Sequence, residues 1–217
     1  MPEGSVAASL QAIEAAARQE LDGKHAARER ALVDSRALIR TCANTIRAVH
    51  RHEFERAAEM LQQAAAASAH LADALRDYQD LYWAGYVQDA LKEYVEATAT
   101  YRAVRGESLP TPQELGVASA AFLNGLGEAV GELRRYVLDR LRRDDAEGCE
   151  SLLQIMDDIY SLLVTIDYPD ALTGGLRRTT DNVRGILERT RGDLTSALRQ
   201  RELQAALRQL EARLPTS

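Results

Sequence analysis

Apolar residues recur at three- and four-residue steps along most of the chain, the spacing of amphipathic helices, and no stretch alternates as a half-buried strand would. Leu32, Ile39, Cys42, Ile46 and Val49 mark a helix over 26–51. Phe54, Ala58, Leu61, Ala65, Leu71 and Leu75 carry a second over 52–77, after a break near His50 to Glu53. Leu81, Val87, Leu91, Tyr94 and Val95 extend a third over 78–105. Gly106, Pro110 and Pro112 then stop helical structure, and Thr111-Pro-Gln-Glu114 reopens it with an N-cap, a first-position proline and an early acidic residue. That fourth helix is expected to reach Arg143. Asp144 or Asp145 is expected to cap a fifth, which runs to Ile166 and ends before Tyr168-Pro169. Segments 175–191 and 193–214 complete an all-α helical bundle of about seven helices. Residues 1–25 are alanine-rich but weakly patterned, and they predict a helical extension or mobile arm in front of one helical domain over 26–217.

Composition agrees with a bundle. The 217 residues include 36 Ala and 29 Leu, only 5% are aromatic, and Pro110, Pro112 and Pro169 are the three prolines away from the termini. Cys42 and Cys149 are too few for a disulfide framework or a cysteine-built zinc site, and read as buried apolar thiols. No apolar run reaches the ~18 residues of a membrane helix, and the first residues carry no signal-peptide pattern, so a soluble cytoplasmic protein is expected. The net charge of −6 does not announce a basic nucleic-acid binder, so any contact with a polyanion is expected to be local.

The informative residues are acidic and stand where a bundle helix normally places its core. Glu93 and Glu96 are three apart, ~60° around a helix, and Glu128 and Glu132 are four apart, ~40°. Each pair offers carboxylate oxygens on one face. Gly125, Gly127 and Gly131 surround the second pair although each costs a helix ~1 kcal/mol, which points to close approach of a neighbouring backbone. Clustered carboxylates need a counter-charge, and hard oxygen donors favour Mg²⁺ or Mn²⁺. The competing reading is a solvated face paired with Arg102, Arg134 and Arg135. Glu-x-x-His motifs for a di-iron bundle are missing, as are a nucleophile triad and a phosphate-binding glycine loop.

Glu93-Tyr-Val-Glu-Ala97 resembles the catalytic-helix motif of the translin and translin-associated protein X (TRAX) family. Phe122-Leu-Asn-Gly-Leu-Gly-Glu-Ala-Val-Gly-Glu-Leu133 is similar to that family's Tyr-Leu-x-Gly-Val-x-Asp-x-x-Gly-Glu-Leu segment. Ser35-Arg36, His50-Arg51 and Tyr168-Pro169 add weaker support, and the likeness spans about residues 28 to 200. The resemblance implies a translin-like fold that oligomerises into a barrel, here a homo-oligomer, with Mg²⁺-dependent endoribonuclease activity on single-stranded RNA. It places catalytic and metal-ligating roles on Glu93, Glu96 and Glu128, the last where TRAX has an aspartate, and a supporting metal-site role on Glu132. Asp73, Leu75, Asp77 and Gln79 replace the basic run of translin-type subunits, so the chain looks TRAX-like. Arg36, Arg40, Arg47 and Arg51 step by four, seven and four along one helix face and are the candidate nucleic-acid contacts, with Trp83 and Tyr82 the candidate stacking aromatics. The alternative is a non-catalytic oligomeric scaffold for RNA or single-stranded DNA. A third reading is a helical protein with no nucleic-acid partner.

Overall fold

The computed structural model describes residues 5–146 and 148–212, and among them there are nine helices and no strand. These are α1 (Ser5–His50), α2 (Phe54–Ala74), α3 (Gln79–Tyr82), α4 (Gly85–Arg105), α5 (Pro112–Leu115), α6 (Ser119–Leu141), α7 (Cys149–Val164), α8 (Asp170–Thr173) and α9 (Leu176–Glu211). The all-α bundle is as the periodicity predicts, and most differences lie at the joints. His52 enters the left-handed region (φ 60°) and turns the chain from α1 into α2, at the expected break. Thr111 and Glu114 form a reciprocal capping box, with Glu114 N–H donating to Thr111 Oγ1 at 3.2 Å and Thr111 N–H to Glu114 Oε2 at 2.6 Å. Gly116 (φ 64°) ends that helix after four residues, so the helix expected over 111–143 is two helices.

Three further boundaries differ, the first in the helix expected over 78–105, which is α3 and α4 with a break at Trp83 and Ala84. Neither Asp144 nor Asp145 caps α7. Arg140 holds Asp145 through two hydrogen bonds of 2.8 Å, and the helix starts after Gly148 instead. The two last segments are one continuous α9 through Gly192. Arg134 on α6 donates to Thr190 Oγ1 at 3.0 Å and to Asp193 Oδ2 at 2.8 Å, which clamps α9 on both sides of that glycine. Residues 5–25 form the first turns of α1, with residues 6–22 exposed on every face; residues 1–4 and 213–217 lie outside the described residues. Among the described residues no helix is long and apolar enough to cross a membrane. Both cysteines are buried free thiols.

α4 is the axis of the site. It packs against α1 and α2 on one side and α6 on the other, while α6 in turn packs against α7 and α9. Tyr94 to Thr100 are buried without interruption, so this helix lacks a solvent face through its middle. Gly125 lets α6 approach: an added Cβ would stand 2.6 Å from Lys92 O and 2.7 Å from Val95 Cβ. Gly127 serves α9 similarly, since a Cβ there would meet Thr179 Cγ2 at 2.3 Å. Gly125 and Gly127 thus work as the sequence suggests, whereas a Cβ at Gly131 would meet only Ile186 Cδ1 at 4.0 Å. Gly125→Ala is expected to destabilise the protein by about 1–3 kcal/mol in urea unfolding, because the backbone overlap outweighs alanine's ~1 kcal/mol advantage in helix propensity. A stabilised variant would contradict this account.

Candidate metal centre

α4 projects Glu93 and Glu96 one turn apart, and the close α4–α6 contact brings Glu128 up to them. One oxygen from each of Glu93, Glu96 and Glu128 lies within 4.8 Å of the other two, the single such group among the described residues. Two stretches of chain therefore converge on one acidic point, as the glycine spacing suggests. Lys92 Nζ bridges to Glu128 Oε1 at 2.7 Å and lies 3.8 Å from Asp89 Oδ1. Burial opposes the lysine's charge, but Glu128, Asp89 and Glu93 outweigh it and leave its pKa above the ordinary value.

The other two carboxylates lack such a partner. Glu96 is 9% exposed, and burial first, then repulsion from Glu93, Glu128 and Glu132, pushes its pKa up to about 8. Glu93 is raised for the same reasons, burial leading and Glu128 next. No hydrogen bond offsets the cost in either. Cys42 of α1 lies against the same pair, and burial, followed by Glu93 and Glu96, pushes its thiol up to about 12, which leaves it inert. Three hard oxygen donors in a site short of positive charge suit Mg²⁺ or Mn²⁺.

No protein-family model matches the chain. An uncharacterised protein of Methanocaldococcus jannaschii is 29% identical over 192 residues, which cover 88% of this chain and 85% of that protein. The crystal structure of apo-NeC3PO, at 20% identity and a TM-score of 0.76 over 85% of this chain and 96% of its own, shares the fold. The crystal structure of AfC3PO, a translin/TRAX-type protein, superposes with a TM-score of 0.80 at 36% identity over 85% of this chain and 96% of its own. The chain belongs to the translin family. A structure of AfC3PO in complex with duplex RNA superposes with a TM-score of 0.76 over the same shares and at the same 36% identity.

In this translin-family chain Glu132 stands apart from the trio. His50 Nε2, on a side chain only 6% exposed, donates to Glu132 Oε2 at 2.5 Å, and this bond holds the Glu132 carboxyl below its ordinary pKa. Arg135 adds a longer contact at 3.7 Å. Glu132 thus has a hydrogen bond and an ion pair of its own, which Glu93 and Glu96 lack, and it sits beside the cluster rather than in it. Arg36, Arg40 and Arg47 are exposed on α1, and Arg51 is exposed just beyond its end. Arg47 lies ~60° around α1 from His50, but the four arginines stand ~120–180° around the helix from Cys42, the residue that faces Glu93 and Glu96, so the stripe looks away from the trio. Sequence reasoning did not find Lys92 or His50 as partners. The Lys92–Glu128 and His50–Glu132 pairs join residues 36 and 82 apart, and only helix packing reveals such pairings. Trp83, expected as a stacking aromatic, is 56% exposed.

Proposed function

We propose that the protein is a Mg²⁺-dependent endoribonuclease of single-stranded RNA that works as an oligomer. The observation carrying this reading is the convergence of Glu93, Glu96 and Glu128, two of them buried at least in part with no ion pair of their own and with the field of Lys92 outweighed by burial and repulsion. These three residues would hold the ion. When bound, it supplies Lewis acidity to a phosphodiester and lowers the pKa of water. The chain supplies the rest. Lys92 fixes the Glu128 carboxylate, His50 fixes Glu132 beside the cluster, and the exposed arginines of α1 hold backbone phosphates farther along the strand. The AfC3PO complex with duplex RNA favours an RNA ligand for this chain too. Oligomerisation is favoured by exposed apolar residues at the two ends of the chain, Val6, Leu10, Ile13 and Leu21 on α1 and Leu203, Leu207 and Leu210 on α9.

One observation favours the alternative, a non-catalytic scaffold: Lys92 already neutralises Glu128 without any ion. Incubating end-labelled single-stranded RNA with the full chain separates the two. Internal cleavage in Mg²⁺ that stops in chelator and returns with Mn²⁺ is the expected result. Salt-sensitive binding with no cleavage in either ion supports the scaffold, and cleavage that persists in chelator overturns the metal site.

A further inference from the structure

A cavity of about 900 Å³ opens between the start of α4, the start of α6 and the beginning of α9. Lys92 and Glu128 line it, so it leads directly to the edge of the acidic trio. Its volume is that of pockets that enclose small organic ligands. Two features make it more than an open groove. Trp83 lines it with an exposed indole, against which Tyr82 packs edge-on at 5.2 Å between centroids. Arg178 of α9 also lines it, is exposed and pairs with no carboxylate among the described residues.

The intervening wall keeps the space open. Gly85 and Gly175 have nothing within 4 Å of where a Cβ would stand. Asn124 is committed to structure, donating to Ala120 O at 2.9 Å and Thr173 O at 2.7 Å and accepting from Thr179 Oγ1 at 2.6 Å, so it fixes the start of α9; of the two cations that line the cavity among the described residues, Lys92 is taken by Glu128, which leaves Arg178 for a ligand anion. A flat aromatic face and an uncommitted guanidinium lining one cavity offer the two kinds of contact a nucleotide takes, a surface for its base to stack on and a fork to grip its phosphate. A paired base inside a duplex cannot offer its face to an indole, so the nucleotide must be unpaired.

We propose that this cavity binds one unpaired nucleotide of the RNA strand, base on Trp83 and phosphate on Arg178, next to the bond held at the acidic trio. The inference rests on the RNA reading above and names its subsite. Trp83 is the chain's one tryptophan, so its emission reports the cavity alone. The experiment titrates the full chain, in chelator to prevent cleavage, with a short end-labelled oligoadenylate, and follows label anisotropy and tryptophan emission together. Quenching is expected to saturate at the same midpoint as the anisotropy. A blunt duplex, or an analogue abasic along its length, is expected to bind without quenching. Arg178→Ala is expected to raise the midpoint about tenfold, the scale of one charge-assisted hydrogen bond. Anisotropy that saturates while emission stays constant overturns the subsite but leaves the RNA reading intact, as does equal quenching by the abasic analogue or an unchanged midpoint for Arg178→Ala. Emission that responds to protein dilution and not to RNA assigns the indole to a contact between copies and overturns the subsite too. No anisotropy change at all removes the RNA reading itself.

Discussion

Glu96→Gln is expected to lower Mg²⁺-dependent RNA cleavage about a thousandfold, the scale of the several kcal/mol that a bound ion contributes to a transition state. Glutamine keeps the volume of the side chain and removes only its charge, so packing of α4 between α1 and α6 should survive. RNA affinity should change little, because the arginines proposed to hold phosphate lie on the edge of α1. The stability readout makes this result diagnostic. Glu96 is 9% exposed and its charge is opposed by Glu93, Glu128 and Glu132, so in chelator above neutral pH the variant should unfold at a higher temperature than the wild type. Loss of cleavage together with a gain of apo stability is what a buried ligand set produces. Cleavage by Glu96→Gln equal to the wild type removes the assigned centre. Lost cleavage with lost stability points to simple misfolding.

The legibility of this chain follows from which forces act locally. Helices announce themselves through apolar spacing because each must bury one stripe, and the Thr111–Glu114 capping box was readable because all of its bonds lie within four residues. The same local rules failed where partners were distant. Asp145 looks like a cap until Arg140 takes it, and Gly192 looks like a break until Arg134 clamps α9 around it. The acidic centre was half legible. Spacing put Glu93 beside Glu96 and Glu128 beside Glu132, and the glycines at 125 and 127 signalled tight approach. Spacing alone could not say that the second pair would divide, with Glu128 turning to Lys92 and the trio while Glu132 turns to His50. That division follows from where α1 ends. His50 is its last residue, and it meets α6 at Glu132, so one carboxylate of the pair is hydrogen-bonded from outside the cluster.

The unequal partnering of these carboxylates also sets how stability depends on pH. Glu96 has a pKa of about 8 in the folded protein against an ordinary 4.5, and Glu93 is raised as well. Between those values the unfolded chain has released protons that the folded chain retains, so unfolding free energy falls as pH rises through this window. Glu132 works in the opposite sense, but its pKa is lowered, so its contribution is lost only below the ordinary carboxylate range. Raised Lys92 and Cys42 act above the window. In chelator the melting temperature is therefore expected to drop between about pH 5.5 and about pH 8.5, by roughly 5–10 °C if Glu96 contributes about 2–4 kcal/mol. Mn²⁺ should reverse the drop, since an ion that binds only the folded protein at about a hundred times its dissociation constant adds ~2.7 kcal/mol. Its effect should be large at the alkaline end, where the trio is ionised, and small at the acidic end, where protons occupy it. Differential scanning fluorimetry of the wild type and Glu96→Gln, each with and without Mn²⁺, reads all of these terms, and the variant should show both a flatter pH profile and a smaller response to the ion. An Mn²⁺ shift of equal size at both ends of the range, or an unaltered profile in the variant, would mean that the carboxylates of α4 and α6 do not share an ion.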